Sequence, residues 1–280
     1  MDMDSVNEDC PLSPKDYKSD YKPVWCPGCG DFSVLAAITR ALSTLKIKRE
    51  NAAVISGIGC SSRIPAYTSV YGFHGVHGRA LPLAAGLKLA RPDLTVLVTG
   101  GDGDGFSIGG NHFIHACRRN VDMTYIVMDN QVYGMTKGQA SPTTAIEWKA
   151  SKLTPHGTGV DPFQPLGMAL AAGATFIARG YSGDPDGVAE LIVKAVRHPG
   201  FSFLQVLSPC VTYHPEQREW KDKVRPAPSQ PAVDPVRASM RLMDEEGFNI
   251  GVLFVSDRPP YAPPTAPKAT IADIEKTFAI

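Results

Sequence analysis

The sequence predicts an α/β protein built on one doubly wound, mostly parallel sheet. Three observations predict it. The runs "AAVIS", "LTVLVTG" and "MTYIVMDN" are apolar almost throughout, as strands covered on both faces are. Segments of helical period separate them, so strands and helices alternate along the chain. Glycine-rich turns, "GIG" at 57–59 and "GGDGDG" at 100–105, follow two of the strands. Open α/β sheets bind ligands at such carboxyl ends.

Residues 1–23 are polar, carry prolines at 11, 14 and 23, and read as an N-terminal arm that includes Cys10. From Asp31, "DFSVLAAITRALSTL" has apolar residues at helical spacing, with Asp31 as its N-cap. "AAVISGIG" (52–59) is a buried strand entering a glycine loop, and "RALPLAAGLKLAR" (79–91) is a helix rich in small residues. "LTVLVTG" (94–100) is the next strand; "GDGDGFSIGG" is a loop; "NHFIHACRR" is a helix, with Cys117 as a packing residue; "MTYIVMDN" (123–130) is a strand. "ATFIARG" (174–180) and "SFLQVLS" (202–208) are two further strands around the helix "VAELIVKAVRH" (188–198). The composition changes near Arg225 to "RPAPSQPAVDPV", a proline-rich connector. Residues 24–225 therefore read as the main domain. Residues 226–280 read as a partner-contacting appendage, with a helix at 236–246 and a strand at 250–256. There are no internal repeats.

Bulk properties exclude several classes. The 28 basic and 28 acidic residues balance, so the basic excess of a nucleic-acid binder is absent. No apolar run approaches the roughly 18–20 residues that cross a bilayer. The start, "MDMDSVNEDC", is acidic and unlike a secretory signal, so the expected location is the cytoplasm. In that reducing compartment, clustered cysteines point to metal or redox chemistry rather than to structural disulfides.

The glycine loop after the strand at 94–100 suits an anion, because glycine lets backbone approach closely and a helix start offers free N–H groups. It lacks the Gly-Lys-Ser/Thr of a P-loop, and Asp102 disrupts a dinucleotide fingerprint. An aspartate beside a diphosphate suggests Mg²⁺, which takes hard oxygen ligands. Asn130 follows Asp102 by 28 positions, at the end of the next strand. In a βαβ unit the two strand ends lie side by side, so a carboxylate and an amide oxygen can meet one metal, with the Val132 carbonyl as a third ligand.

Cys26 and Cys29, in "WCPGCGDF", have a spacing that serves zinc, an iron–sulfur cluster or a dithiol. Cys60 and Cys210 each end a strand-and-loop segment on the expected ligand side. Four thiolates suit zinc or an Fe–S cluster. A dithiol would leave Cys60 and Cys210 unused.

"GDG", about thirty residues and then Asn looks like the thiamine diphosphate motif. This implies Mg²⁺ on Asp102, Asn130 and the Val132 carbonyl, with Gly101, Gly103 and Asp104 lining the diphosphate. Thiamine diphosphate decarboxylates 2-oxo acids and leaves two electrons to remove. A [4Fe-4S] cluster accepts electrons singly, which zinc cannot do. The whole set, "WCPGCGDF", "GIGCSSRIPAY", "YGFHGVHGRALPLAAGLKLA", "GDGDGFSIGGNHFIHACRRN", "MDNQVYGMTKGQASPTT" and "LSPC", resembles the β subunit of the 2-oxoacid:ferredoxin oxidoreductases. It spans about residues 20–215. "YGFHGVHGRA" is most similar to the branch that acts on 2-oxoglutarate.

The resemblance implies one [4Fe-4S] cluster on Cys26, Cys29, Cys60 and Cys210. It implies a cofactor cleft that also includes Ile58, Gly59, Cys60, Ser61, His77, Gly134 and Met135. It implies CoA-dependent oxidative decarboxylation of a 2-oxo acid, 2-oxoglutarate to succinyl-CoA with pyruvate or another 2-oxo acid as the alternative, with ferredoxin as electron acceptor and CO₂ fixation as the reverse. The two glutamates between 25 and 150, Glu50 and Glu147, sit in no second cofactor motif. The family supplies the activating glutamate, and much of the coenzyme A site, from a larger α subunit in an α2β2 assembly. Lys137 and Arg63 are candidate contacts for substrate carboxylate or coenzyme A. His74 and His77 are candidates for phosphate contact or helix capping. A zinc-stabilised scaffold and a non-oxidative decarboxylase are the competing readings; metal analysis separates the first, since zinc would replace iron, and the second needs no cluster.

Overall fold

In the computed structural model, residues 12–149, 152–243, 246–262 and 275–276 are described. Cys10 lies outside them. Helix α1 (Asp31–Thr44) is followed by strands β1 (Ala52–Ser56) and β2 (Tyr71–His74) and helix α2 (Ala80–Ala90). Next come β3 (Thr95–Gly101), α3 (Asp102–Phe106), α4 (Gly110–Arg119) and β4 (Met123–Asp129). A small hairpin, β5 (Val132–Tyr133) and β6 (Gln139–Ala140), precedes α5 (Pro165–Ala171), β7 (Phe176–Tyr181), α6 (Pro185–Arg197) and β8 (Phe201–Leu207). The chain continues through α7 (Trp220–Lys223), β9 (Val224–Pro226), α8 (Pro235–Met243) and β10 (Phe248–Val255).

The main sheet has the order β2-β1-β3-β4-β8-β7-β10-β9. From β2 to β7 every pair is parallel, and β10 lies antiparallel against β7. Each central strand feeds two cores. Val96 and Val98 of β3 join Leu81, Phe113 and Leu166 on one face, while Leu97 joins Val34, Ile38 and Ile192 on the other. Tyr125 and Val127 of β4 divide from Ile126 and Met128 in the same way. This two-sided burial explains the unbroken apolar runs.

Several elements differ from expectation. "DGDGF" (Asp102–Phe106) forms the short helix α3 rather than a loop. Glycine is poor in helices, but a Cβ on Gly103 would lie 2.3 Å from the Tyr133 ring and one on Gly105 2.1 Å from the Tyr125 hydroxyl. Packing therefore overrides propensity. Asp31 is not an N-cap; Gly30 holds that position, and Asp31 turns inward to accept from Ser208 Oγ at 2.9 Å. The N-terminal stretch is anchored, since Tyr17 is fully buried and donates its hydroxyl to the Ile47 carbonyl. The 225/226 boundary falls inside β9, and the strand read at 250–256 is β10, part of the main sheet. No described helix is long and apolar enough to cross a membrane.

The strand order changes its direction of winding between β1 and β3: β2 lies outside β1, whereas β4 follows β3 on the other side. At such a switch point, loops diverge above the strand ends and leave a crevice.

Candidate functional site

The loop after β1 and the helix after β3 flank that crevice. A cavity of about 90 Å³ is lined by Ile58, Gly59, Cys60, Ser61, His77, Gly101, Asp102, Gly103, Asp104, Asn130, Val132, Gly134 and Met135, together with Tyr133 and Thr136. Asp102 is 1% exposed. Its Oδ2 accepts from the hydroxyls of Ser141 and Thr143, the latter at 2.8 Å. Among the described residues its Oδ1 accepts from the Asn130 N–H alone, at 3.4 Å. Oδ1 is therefore the oxygen left for a cation. Asn130 Oδ1 accepts from the Val132 N–H at 3.1 Å, which folds the turn so that both residues face the same cavity.

Behind Asp102 runs a buried polar chain. Arg179 Nε donates to Gln205 Oε1 at 2.9 Å, and Gln205 Nε2 donates to Asp129 Oδ2 at 2.7 Å. Thr143 Oγ1 lies 2.9 Å from Asp129 Oδ1 and so reaches both carboxylates. Burial pushes both carboxyls above the usual range, and the Asp129 charge adds to the effect at Asp102.

Asp104 lines the cavity, but its carboxylate serves the backbone. Oδ1 accepts from the amides of Ile58 at 3.0 Å and Gly78 at 2.8 Å, with His77 Nδ1 3.3 Å away. It clamps the two loops that frame the cleft. Gly57 is required beside it, because a Cβ there would lie 2.0 Å from Asp104 Oδ2. His74 lies on exposed edge strand β2 and does not line the cavity.

A second cavity of about 190 Å³ is lined by Cys26, Cys29, Cys60 and Cys210, with Trp25, Arg63, Asn130, Gly134 and Met135 among their neighbours. Hydrogen bonds tie the three segments together. Cys29 N–H donates to the Cys26 carbonyl at 3.0 Å, closing the "CPGC" turn, with Gly28 at φ +85°. Trp25 Nε1 donates to the Cys60 carbonyl at 2.8 Å, and Gly30 N–H to the Pro209 carbonyl at 3.4 Å. A Cβ on Gly134 would lie 3.6 Å from Cys210 Sγ and 3.9 Å from Cys60 Sγ. The cleft and the cysteine cavity share Cys60, Asn130, Gly134 and Met135, so they are contiguous. Burial raises the thiols: Cys29 and Cys210 move above the usual range and Cys60 is pushed up to about 11, with the Asp31 charge next in size at Cys29 and Cys60. Cys117 is buried away from this group, in the core.

Among the described residues, no three His, Cys, Asp or Glu side chains form a group that could hold one metal ion. The two donor sets are chemically distinct. The cleft offers oxygen, which suits Mg²⁺. The second cavity offers four cysteine sulfurs, which suit zinc or iron. Of the two candidate cations, Arg63 lines the cysteine cavity, whereas Lys137 is exposed in a left-handed turn (φ 78°) and lines neither. Glu147 is exposed as well.

Sequence reasoning missed Ser141, Thr143, Asp129, Gln205, Arg179 and Gln217. Ser141 and Thr143 lie within the quoted "GQASPTT", the one signal available for them.

The model of the thiamine pyrophosphate enzyme C-terminal TPP binding domain family matches residues 57–206. The chain is 48% identical over 206 residues to "2-oxoglutarate oxidoreductase subunit KorB" of Mycobacterium tuberculosis, covering 74% of this chain and 55% of that protein. It thus spans about half the length of that relative. It is 43% identical over 255 residues to "2-oxoacid:ferredoxin oxidoreductase 1, subunit beta" of Aeropyrum pernix, covering 86% of this chain and 80% of that one. Among solved structures, 2-oxoglutarate:ferredoxin oxidoreductase from Magnetococcus marinus with 2-oxoglutarate, coenzyme A and succinyl-CoA bound is similar with a TM-score of 0.86 and 43% identity, over 89% of this chain and 87% of that one. With its mostly parallel α/β sheet and its thiamine-diphosphate-type domain, the chain belongs to the 2-oxoacid:ferredoxin oxidoreductase β-subunit family.

Proposed function

We propose that this chain, with a larger α subunit in an α2β2 assembly, carries out the coenzyme A-dependent oxidative decarboxylation of 2-oxoglutarate to succinyl-CoA and passes the electrons to ferredoxin. The observation that carries the reading is the contiguity of two chemically different cavities, one with oxygen donors and one with four thiols, sharing a wall at Cys60, Asn130, Gly134 and Met135. When bound, thiamine diphosphate with Mg²⁺ supplies the decarboxylation chemistry and a [4Fe-4S] cluster supplies one-electron acceptance.

This chain's residues bind and orient. Asp102 Oδ1, the Asn130 side chain and the Val132 carbonyl would hold Mg²⁺; Ser141 and Thr143 fix the other Asp102 oxygen. Asp104 keeps the loops at Ile58 and Gly78 in place around the cofactor. Arg63 is favoured over Lys137 as a contact for a substrate or coenzyme A anion, because it lines a cavity. A cluster is favoured over its rivals by the electron count: the decarboxylation leaves two electrons to pass on singly, which zinc cannot accept, and a dithiol would leave Cys60 and Cys210 unused.

The reading is tested by reconstituting the α/β complex and following ferredoxin reduction with a panel of 2-oxo acids. Fastest turnover is expected with 2-oxoglutarate and only with coenzyme A present. Faster turnover of pyruvate overturns the substrate assignment, and turnover without ferredoxin reduction overturns the electron route.

A further inference from the structure

Gln217 is 1% exposed and sits outside every motif of the sequence. Its side chain spans two loops that are far apart in the chain. Oε1 accepts from the Cys210 N–H at 2.9 Å, and Nε2 donates to the Asn130 carbonyl at 2.5 Å. One of these backbone groups belongs to a cysteine of the thiol cavity. The other belongs to the residue whose side chain faces the oxygen-lined cleft. The shared wall at Gly134, against Cys210 Sγ and Cys60 Sγ, lies in the same loop as Asn130.

The backbone under Gln217 is fixed. It lies in a 3-10 turn, Pro215–Glu219, with its N–H on the His214 carbonyl at 3.1 Å. His214 N–H donates to the Cys210 carbonyl at 2.9 Å, and the Trp148 ring stacks on the imidazole at 4.9 Å. The loop from Cys210 to Gln217 is therefore closed on itself, and the Gln217 amide ties it to the Asn130 loop. The glutamine amide supplies an acceptor and a donor at once, at the end of a side chain long enough to span both loops. Glutamate keeps the acceptor and lacks the donor when ionised, and asparagine is one methylene shorter.

We propose that Gln217 is the positioning residue that locks the Cys210 loop to the Asn130 loop, so that filling the thiamine cleft alters the environment of the cluster. The inference rests on the cofactor assignment proposed above. Because coupling between two sites is reciprocal, it has two readouts independent of turnover. In the intact complex, adding thiamine diphosphate and Mg²⁺ changes the EPR spectrum of the chemically reduced cluster. Conversely, reducing the cluster changes the affinity for thiamine diphosphate, read by titration.

The test is Gln217→Leu, with Gln217→Met read in the same way if the leucine variant is too unstable to purify. The expected result is wild-type iron content, roughly tenfold weaker thiamine diphosphate binding as for other outer-shell changes at metal sites, and a cluster spectrum that no longer responds to the cofactor. Arg258→Ala is the control: it lowers stability but leaves the response intact, which separates positioning from general loosening. A Gln217 variant whose spectrum and affinity respond as in wild type overturns the inference. Wild-type protein that lacks iron, or lacks Mg²⁺-dependent thiamine diphosphate binding, overturns instead the cofactor assignment beneath it.

Discussion

Replacing Thr143 by valine keeps the shape and removes one hydroxyl. That hydroxyl lies 2.8 Å from Asp102 Oδ2 and 2.9 Å from Asp129 Oδ1, and both carboxylates are 1% exposed. A hydrogen bond to a charged group contributes about 1.5–3 kcal/mol, and a buried group left without its partner costs a similar amount. The variant should therefore be destabilised by about 2 kcal/mol, a few degrees in melting temperature for a chain of this size. Its second effect is specific. With only Ser141 still holding Oδ2, Asp102 is free to rotate, and loss of such a partner typically weakens metal affinity roughly 10- to 100-fold. The assay is isothermal titration of thiamine diphosphate at several Mg²⁺ concentrations. Thr143→Ser should restore the affinity, because it restores the hydroxyl. Unchanged Mg²⁺ dependence in the valine variant would refute the reasoning, as would a serine variant as weak as valine.

Three further outcomes follow from the same geometry. Arg258 donates to the carbonyls of Cys117, Arg118 and Gly173 at 2.9, 3.0 and 2.7 Å, at the ends of α4 and α5; Arg258→Ala should cost about 1–3 kcal/mol in urea unfolding and leave thiamine diphosphate affinity unchanged. Gly105→Ala places a methyl 2.1 Å from the Tyr125 hydroxyl and should destabilise by about 1–3 kcal/mol, with part of the loss recovered in the Gly105→Ala, Tyr125→Phe double variant. Burial lowers the pKa of His198 below 6.5, and its Nε2 lies 2.9 Å from Thr175 Oγ1. Below that value the unfolded chain takes up a proton that the folded chain declines, so the stability is present above about pH 6.5 and lost as pH falls. His198→Gln should flatten the melting-temperature profile between about pH 7.5 and 5.5; an identical slope would count against this.

Much of this was legible because the chemistry concentrates in a few residue types. β1, β3, β4 and β8 announced themselves by being apolar on both faces. The cysteines and "GDG…N" announced the site, since few other roles use those residues at those spacings. β2 was not read, because "YGFH" is a short edge strand whose four residues are all exposed, so it lacks the buried apolar run of the central strands. The helical state of "DGDGF" was hidden, because the two tyrosines that demand its glycines come from other segments. The polar residues behind the site were hidden for a related reason. Asp102 meets Ser141 and Thr143 across 39 and 41 residues, Gln205 meets Asp129 across 76, and Gln217 meets Asn130 across 87. No local periodicity encodes such pairings; the sheet order creates them by setting β4 between β3 and β8.

What Cys26, Cys29, Cys60 and Cys210 hold beside the Asp102 cleft decides between an electron-transferring enzyme subunit and a zinc scaffold. The direct measurement is the iron, acid-labile sulfide and zinc content of anaerobically purified protein, compared with Cys26→Ala. The [4Fe-4S] assignment predicts about four irons with matching sulfide per chain and a marked loss in the variant. One zinc per chain without iron, or iron retained in full by Cys26→Ala, would contradict it.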